Sequence, residues 1–152
     1  MPLACLFAFY RSILYKKRRL NMCIFCKIVN KEIPNYTIYE DETVLAFLDV
    51  NPTSKGHTLV IPKQHFDSFL ECDSDVLHHV FDVAQKIALK MEKELGCDGI
   101  NVLSNVHEAA GQSVNHFHVH LIPRYKDNDS VSIEFNPIEN KDFEDVIKKI
   151  GF

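Results

Sequence analysis

The chain has 152 residues, 46% of them hydrophobic and 25% charged, which suits one domain burying a single core. The whole chain carries −4 and its first 21 residues carry +5 (Arg11, Lys16, Lys17, Arg18, Arg19, no acid), so the remaining 131 carry −9. A body that acidic excludes a nucleic-acid polymer as partner, although backbone N–H groups and histidines can still hold a mononucleotide. No apolar run reaches the about 18 residues a membrane span requires. The cysteines form no regular framework, which predicts reduced thiols in the cytoplasm or nucleus.

In chain order, residues 3–9 are apolar and the basic residues follow them, the reverse of a secretory signal. An Arg-rich, acid-free leader suits organelle targeting or a membrane-surface patch with Tyr10 and Tyr15 as anchors. The plainer reading makes residues 1–21 a mobile extension and Met22 the start of a domain spanning 22–152. Ile38-Tyr39, Val44–Leu48 and Thr58–Ile61 are short β-favouring runs separated by turn residues. Val76, Val80, Val83, Ala84, Ile87, Met91 and Leu95 recur at steps of three and four, which predicts one long amphipathic helix. Asp73 and Asp75 suit its positive end, and Gly96 suits the left-handed residue that closes it. Ile100–Leu103 and Asn115–Ile122 are two further strands around a polar loop, Asn105–Ser113. Phe143, Val146, Ile147 and Ile150 predict a short C-terminal helix. Strands, a helix, then more strands predict an α+β fold with an antiparallel sheet.

The segment richest in chemistry is Gly111-Gln112-Ser113-Val114-Asn115-His116-Phe117-His118-Val119-His120. In a strand alternate side chains share a face, so the three imidazoles point one way while Phe117, Val119 and Leu121 point into the core. Such a row suits binding an anion and moving protons. Gly111 permits close backbone approach to a ligand, and Ser113 offers a hydroxyl. His-x-His on a strand is also how zinc hydrolases present two ligands, so spacing alone leaves catalytic zinc open. Cys23-x-x-Cys26 has zinc-knuckle spacing that two histidines would complete. His78, His79 and His107, with Cys5, Cys72 and Cys97, read as surface or ordinary residues.

His116-Phe-His118-Val-His120-Leu-Ile resembles the signature of the histidine-triad (HIT) superfamily. Cys23-Ile-Phe-Cys26, Glu32-Ile-Pro, Tyr39-Glu-Asp-Glu, Leu45-Ala-Phe-Leu-Asp49 and Gly56-His57-Thr-Leu-Val-Ile-Pro62 extend the likeness to its Hint branch, above all the microbial members. The resemblance runs from about Cys23 to Tyr125 and covers neither the leader nor the C-terminal segment. It implies an antiparallel meander sheet with one long helix, assembled as a homodimer through that helix and a shared sheet. It also implies hydrolysis of purine nucleoside phosphoramidates or aminoacyl-adenylates through a nucleotidyl-histidine.

Carried over by position, His118 is the nucleophile, and Ser113 hydrogen-bonds near the leaving group. His57 and His120 orient the nucleophile and contact phosphate, and Asn105, Gly111 and Gln112 form the phosphate loop. Asp49 binds ribose, and Phe25, Ile28, Ile33, Phe47 and Val50 line the base pocket. Cys23, Cys26, His65 and His116 are implied as ligands of a structural zinc. A neutral imidazole is a good nucleophile near pH 7, and a covalent step splits one hard displacement into two easier ones. Dinucleoside polyphosphate hydrolysis, nucleotide transfer and a non-catalytic nucleotide-binding regulator are the alternatives. The chain lacks the Trp-containing tail of the animal relatives, so the resemblance leaves its leaving group open.

Overall fold

Val44–Leu48 and Thr58–Pro62 are buried at nearly every position, and strands buried on both faces require cover on both faces of their sheet. The computed structural model describes residues 23–127, 130–139 and 142–152. The leader and the Met22 start fall outside the described residues. The elements run α1 Ile24–Val29, β1 Thr37–Glu40, β2 Val44–Leu48, β3 Thr58–Pro62, α2 Ser74–Leu95, β4 Gly99–Leu103, β5 Val119–Arg124 and α3 Phe143–Ile150. A short 3-10 turn at Glu108–Ala110 lies between β4 and β5. The fold is α+β, built on one five-stranded antiparallel sheet in the order β1-β2-β3-β5-β4. The first three strands form a meander. The crossover through α2 then sets β5, not β4, beside β3, so the strand that carries His120 has a neighbour on each side.

Alternation divides the apolar residues between two layers. Val44, Ala46, Val60, Val119 and Leu121 meet α2 through Val80, Val83, Ala84, Ile87 and Met91, with Phe117 in the same cluster. Leu45, Phe47, Leu59 and Ile61 face the other way and are covered by Phe25 and Ile28 of α1. The long helix ends where predicted, with Gly96 at φ 64° in the left-handed region. The helix α1 has no counterpart in the sequence reading, because six residues are too few for a periodic signal. The C-terminal helix is present, but Phe143, Val146, Ile147 and Ile150 are all exposed. Among the described residues no helix is long and apolar enough to cross a membrane.

The predicted strand Asn115–Ile122 begins later, at Val119, and extends to Arg124. Its first residues leave the ladder because their backbone groups bond elsewhere. The Phe117 N–H goes to the Phe66 carbonyl at 2.7 Å, and the His118 carbonyl accepts the Ser104 hydroxyl at 2.8 Å. Residues 115–118 are thus free to aim their imidazoles differently from a regular strand.

Asp41 ties the first hairpin to the long helix. One carboxylate oxygen accepts the N–H groups of Thr43 and Val44 at 2.8 and 2.7 Å. The other accepts the Tyr39 hydroxyl at 2.7 Å and His79 Nε2 of α2 at 2.6 Å. Burial alone would raise this carboxyl, and the four donors more than reverse it, holding it well below the usual carboxylate range. His79 is therefore an anchor as well as a surface residue. A carboxyl depressed in the folded state stabilises fully above its unfolded pKa of about 3.9, and the contribution fades as pH falls toward the folded value. Asp41→Ala is expected to cost about 2 kcal/mol in urea denaturation at pH 7. The gap to wild type should narrow below about pH 4; a constant gap would show that the carboxylate is not the source.

Candidate active site and metal centre

His118 is buried at the entrance to β5, with Phe25 of α1 edge-on to its ring at a centroid distance of 5.3 Å. Its Nδ1 lies 2.6 Å from the His116 carbonyl oxygen. A carbonyl only accepts, so Nδ1 carries the proton and Nε2 keeps a lone pair. Burial pushes His118 below the usual histidine range, against the opposing pull of that carbonyl, so the ring is neutral near pH 7.

His120 stacks edge-on against His118 at 4.8 Å. Burial, with His118 and His57 beside it, pushes it down to about 4. Its Nδ1 is 3.0 Å from Nε2 of buried His57, brought there because Leu59, two residues after His57 along β3, pairs with His120. Asp49, at the end of β2, places Oδ2 3.7 Å from His57 Nδ1, while its Oδ1 accepts the Asn51 N–H at 2.8 Å. A cavity of about 310 Å³ opens here between Asp49, His57 and the Pro52–Gly56 loop.

The expectation of three imidazoles facing one ligand needs correcting. His116 is fully buried and turns away from the other two. Its Nε2 donates to the Pro62 carbonyl at 2.8 Å, which leaves Nδ1 with a lone pair. His65 mirrors it, with Nε2 3.0 Å from Asp67 Oδ1. The two Nδ1 atoms then face each other at 3.2 Å, as two lone pairs when both rings are neutral. Cys26 Sγ lies 3.3 Å from His65 Nδ1 and 3.6 Å from His116 Nδ1, and Cys23 Sγ lies 3.5 Å from His116 Nδ1. A tetrahedral zinc with ordinary Zn–S and Zn–N lengths spaces its ligands about 3.6 Å (S to N) and 3.3 Å (N to N) apart. The four residues fit such an ion. Without it, burial and the neighbouring Cys23 push the Cys26 thiol up to about 12, and two lone pairs oppose each other in the interior.

The other expected residues fall into place unevenly. Phe25, Ile28 and Phe47 pack together with Ile33 against them, but Val50 stands apart, 70% exposed. The polar loop is shaped by Gly111 at φ 85°, a value that side chains resist. Asn105 donates to the Gly111 carbonyl at 3.3 Å. Gln112 is turned inward. Its amide donates to the carbonyls of Asp67 and Val114 at 2.6 and 3.1 Å and accepts the His107 N–H at 2.7 Å. Ser113 is exposed at the end of this loop. Sequence reasoning missed Thr53 and Pro62, which hold the His57 and His116 rings through a backbone N–H and a carbonyl, and Ser104, whose hydroxyl holds the His118 backbone carbonyl. No residue type or spacing marks such contacts in advance.

A protein-family model described as HIT domain matches residues 30–127. The chain belongs to the HIT domain family. It is 49% identical to an uncharacterized HIT-like protein of Methanocaldococcus jannaschii, over 85% of this chain and 98% of that one. An adenosine 5′-monophosphoramidase of Saccharomyces cerevisiae is 38% identical, over 80% of this chain and 74% of its own length. An adenylylsulfatase of Arabidopsis thaliana is 41% identical, over 68% and 53%. Among solved structures, a HIT family member from Bacillus subtilis superposes with a TM-score of 0.80 at 41% identity, covering 85% of this chain and 94% of that one. A Zn-bound histidine-triad protein from Mycobacterium smegmatis gives 0.69 at 37% identity, covering 78% and 86%. The chain thus carries the HIT domain of these relatives, together with a Cys/His cluster suited to zinc.

Gln112 saturates three backbone groups at once, so Gln112→Ala is expected to lower stability by about 2 kcal/mol. It should also loosen the loop, which a rise in amide hydrogen exchange over residues 105–114 would report. An unchanged denaturation midpoint would show the side chain to be dispensable.

Proposed function

We propose that this HIT protein hydrolyses purine nucleoside phosphoramidates or aminoacyl-adenylates, with His118 as a covalent nucleophile. The observation that carries the reading is the bond from His118 Nδ1–H to the His116 carbonyl, which leaves Nε2 unprotonated on a neutral ring. In the first step Nε2 attacks the α-phosphorus and the P–N or P–O bond breaks, its electrons leaving with the amine or carboxylate. An amine must gain a proton as it departs, drawn from solvent by a relay through the Ser113 hydroxyl or from the substrate itself. In the second step water attacks phosphorus, the P–Nε2 bond breaks, and the nucleoside monophosphate is released. Charge building on the phosphoryl oxygens would be met by the Ser113 hydroxyl and by an N–H on His120 Nε2.

Asp49, beside the cavity and with no hydrogen-bond donor on Oδ2 among the described residues, suits the vicinal hydroxyls of a ribose. Phe25, Ile28, Ile33 and Phe47, with Val50 at the rim, suit a flat base. Asn105, Gly111, Gln112 and Ser113 would form the loop around the phosphate. The yeast and plant relatives, named for adenosine phosphoramidate and adenylylsulfate chemistry, support an adenylate-type substrate. Cys23, Cys26, His65 and His116 would hold a structural zinc. Four protein ligands leave it no position for water, so its contribution is to fix His116 and the start of β5. β4 lies at the edge of the sheet with Val102 half exposed, which suits a homodimer joined along that edge. We place the protein in the cytoplasm or nucleus.

His118→Ala is expected to abolish hydrolysis of an adenosine phosphoramidate, a loss of about 10⁴-fold or more, while AMP binding by calorimetry stays measurable. Retained turnover in that variant would end the assignment. Protein produced without an affinity tag should carry about one zinc per chain by elemental analysis, and Cys26→Ser should carry less than about half. Wild-type protein free of zinc after native purification would remove the metal from the reading.

A further inference from the structure

His57 and His120 pose a question of proton placement that the hydrolysis reading leaves open. His57 Nε2 and His120 Nδ1 are 3.0 Å apart, so one proton lies between them. Both rings are pushed below the usual histidine range by burial, and each carries a single N–H near pH 7. If His57 owns the shared proton, the proton of His120 sits on Nε2 and is donated outward. If His120 owns it on Nδ1, its Nε2 is a bare lone pair that can only accept.

The choice is made at the far nitrogen of His57. The Thr53 N–H points at His57 Nδ1 from 3.3 Å, with Thr53 Oγ1 at 3.4 Å. Asp49 Oδ2 lies 3.7 Å from the same atom. A backbone N–H is a permanent donor and requires a lone pair there. A carboxylate is a permanent acceptor, and although 3.7 Å is beyond hydrogen-bond length, its charge favours a proton there. One nitrogen cannot satisfy both. Thr53 is itself held: the Ser130 hydroxyl donates to its carbonyl, and the Tyr125 hydroxyl donates to the Lys55 carbonyl in the same loop at 2.9 Å.

We infer that Asp49 and the Thr53 N–H compete for His57 Nδ1, and that a bound ribose decides the contest for Thr53. The inference rests on the reading of Asp49 as the ribose acceptor. Hydroxyls bound to Oδ2 occupy the carboxylate, Nδ1 then accepts from Thr53, and the His57 proton sits on Nε2. His120 is left with its N–H on Nε2, facing the phosphate. Each ring keeps one proton throughout, and the change of nitrogen proceeds by exchange with water. Thr53 is thereby a positioning residue, and the sugar is read in the catalytic rate as well as in affinity.

Long-range proton–nitrogen spectra of full-length protein labelled with ¹⁵N-histidine test this directly. AMP is expected to move His57 to the Nε2–H form, 2′,3′-dideoxy-AMP to leave it unmoved, and Asp49→Ala to show the Nε2–H form with no nucleotide. In turnover, a dideoxyadenosine phosphoramidate should show kcat about tenfold or more below its ribose counterpart. That ratio should fall to about one in Asp49→Ala. Equal Kd for AMP and dideoxy-AMP would overturn the ribose reading, and this inference with it. Unequal Kd with an unmoved His57 tautomer and equal kcat would overturn this inference alone.

Discussion

His116 is the residue through which the two halves of the site meet. Its ring belongs to the Cys23–Cys26–His65 cluster, and its carbonyl oxygen holds the Nδ1–H of His118 at 2.6 Å. A rotation of the His116 peptide would release the one acceptor that fixes which nitrogen of His118 is bare. The ring resists that rotation on both sides, Nε2 being held by Pro62 and Nδ1 facing the other cluster atoms. A metal in the cluster would then act on the reaction only through geometry. The orientation of one peptide would be its whole contribution, in the way that outer partners orient ligands around many metal sites.

Burial makes that arrangement rigid and sets its charge. The sheet is covered by α2 on one face and α1 on the other, and the imidazoles of His116 and His118 sit under α1 against Phe25. Their desolvation outweighs the hydrogen bonds that favour protonation, which is why both are pushed down. A neutral ring is what a nucleophile requires, but it brings no positive charge to a phosphate.

Much of this was legible in the sequence. The step of three and four from Val76 to Leu95 identified the long helix, and Gly96 marked its end. Alternation around His116–His120 separated core from site, because Phe117, Val119 and Leu121 do face α2. What stayed hidden was decided by backbone partners. The late start of β5 depends on where the Phe117 N–H bonds, and the divergence of His116 from His118 depends on the Pro62 carbonyl. Every residue carries an N–H or a carbonyl, so neither leaves a signature in residue type. The anchoring of His79 by Asp41 was hidden for another reason. It joins residues 38 positions apart, and the pair looks like two ordinary surface groups until the hairpin and helix are packed.

The supply of donors decides how such a site can hold an anion. The body of the chain carries a large negative charge, and burial keeps His57, His118 and His120 neutral. In the loop that frames the site, the Gly111 N–H is bonded to the Glu108 carbonyl and the Gln112 N–H to the His107 carbonyl. The Gln112 amide is likewise used within the protein. His118 Nδ1–H points inward at a carbonyl. When His120 carries its proton on Nε2, that N–H is among the few side-chain donors of the described residues left to face a phosphoryl oxygen. In a site that lacks full charges, a donor turned into an acceptor at 3 Å changes the interaction from attraction to repulsion. The atoms that settle where that proton sits, a backbone N–H and a carboxylate on the loop between β2 and β3, then matter to the chemistry as much as the imidazole itself.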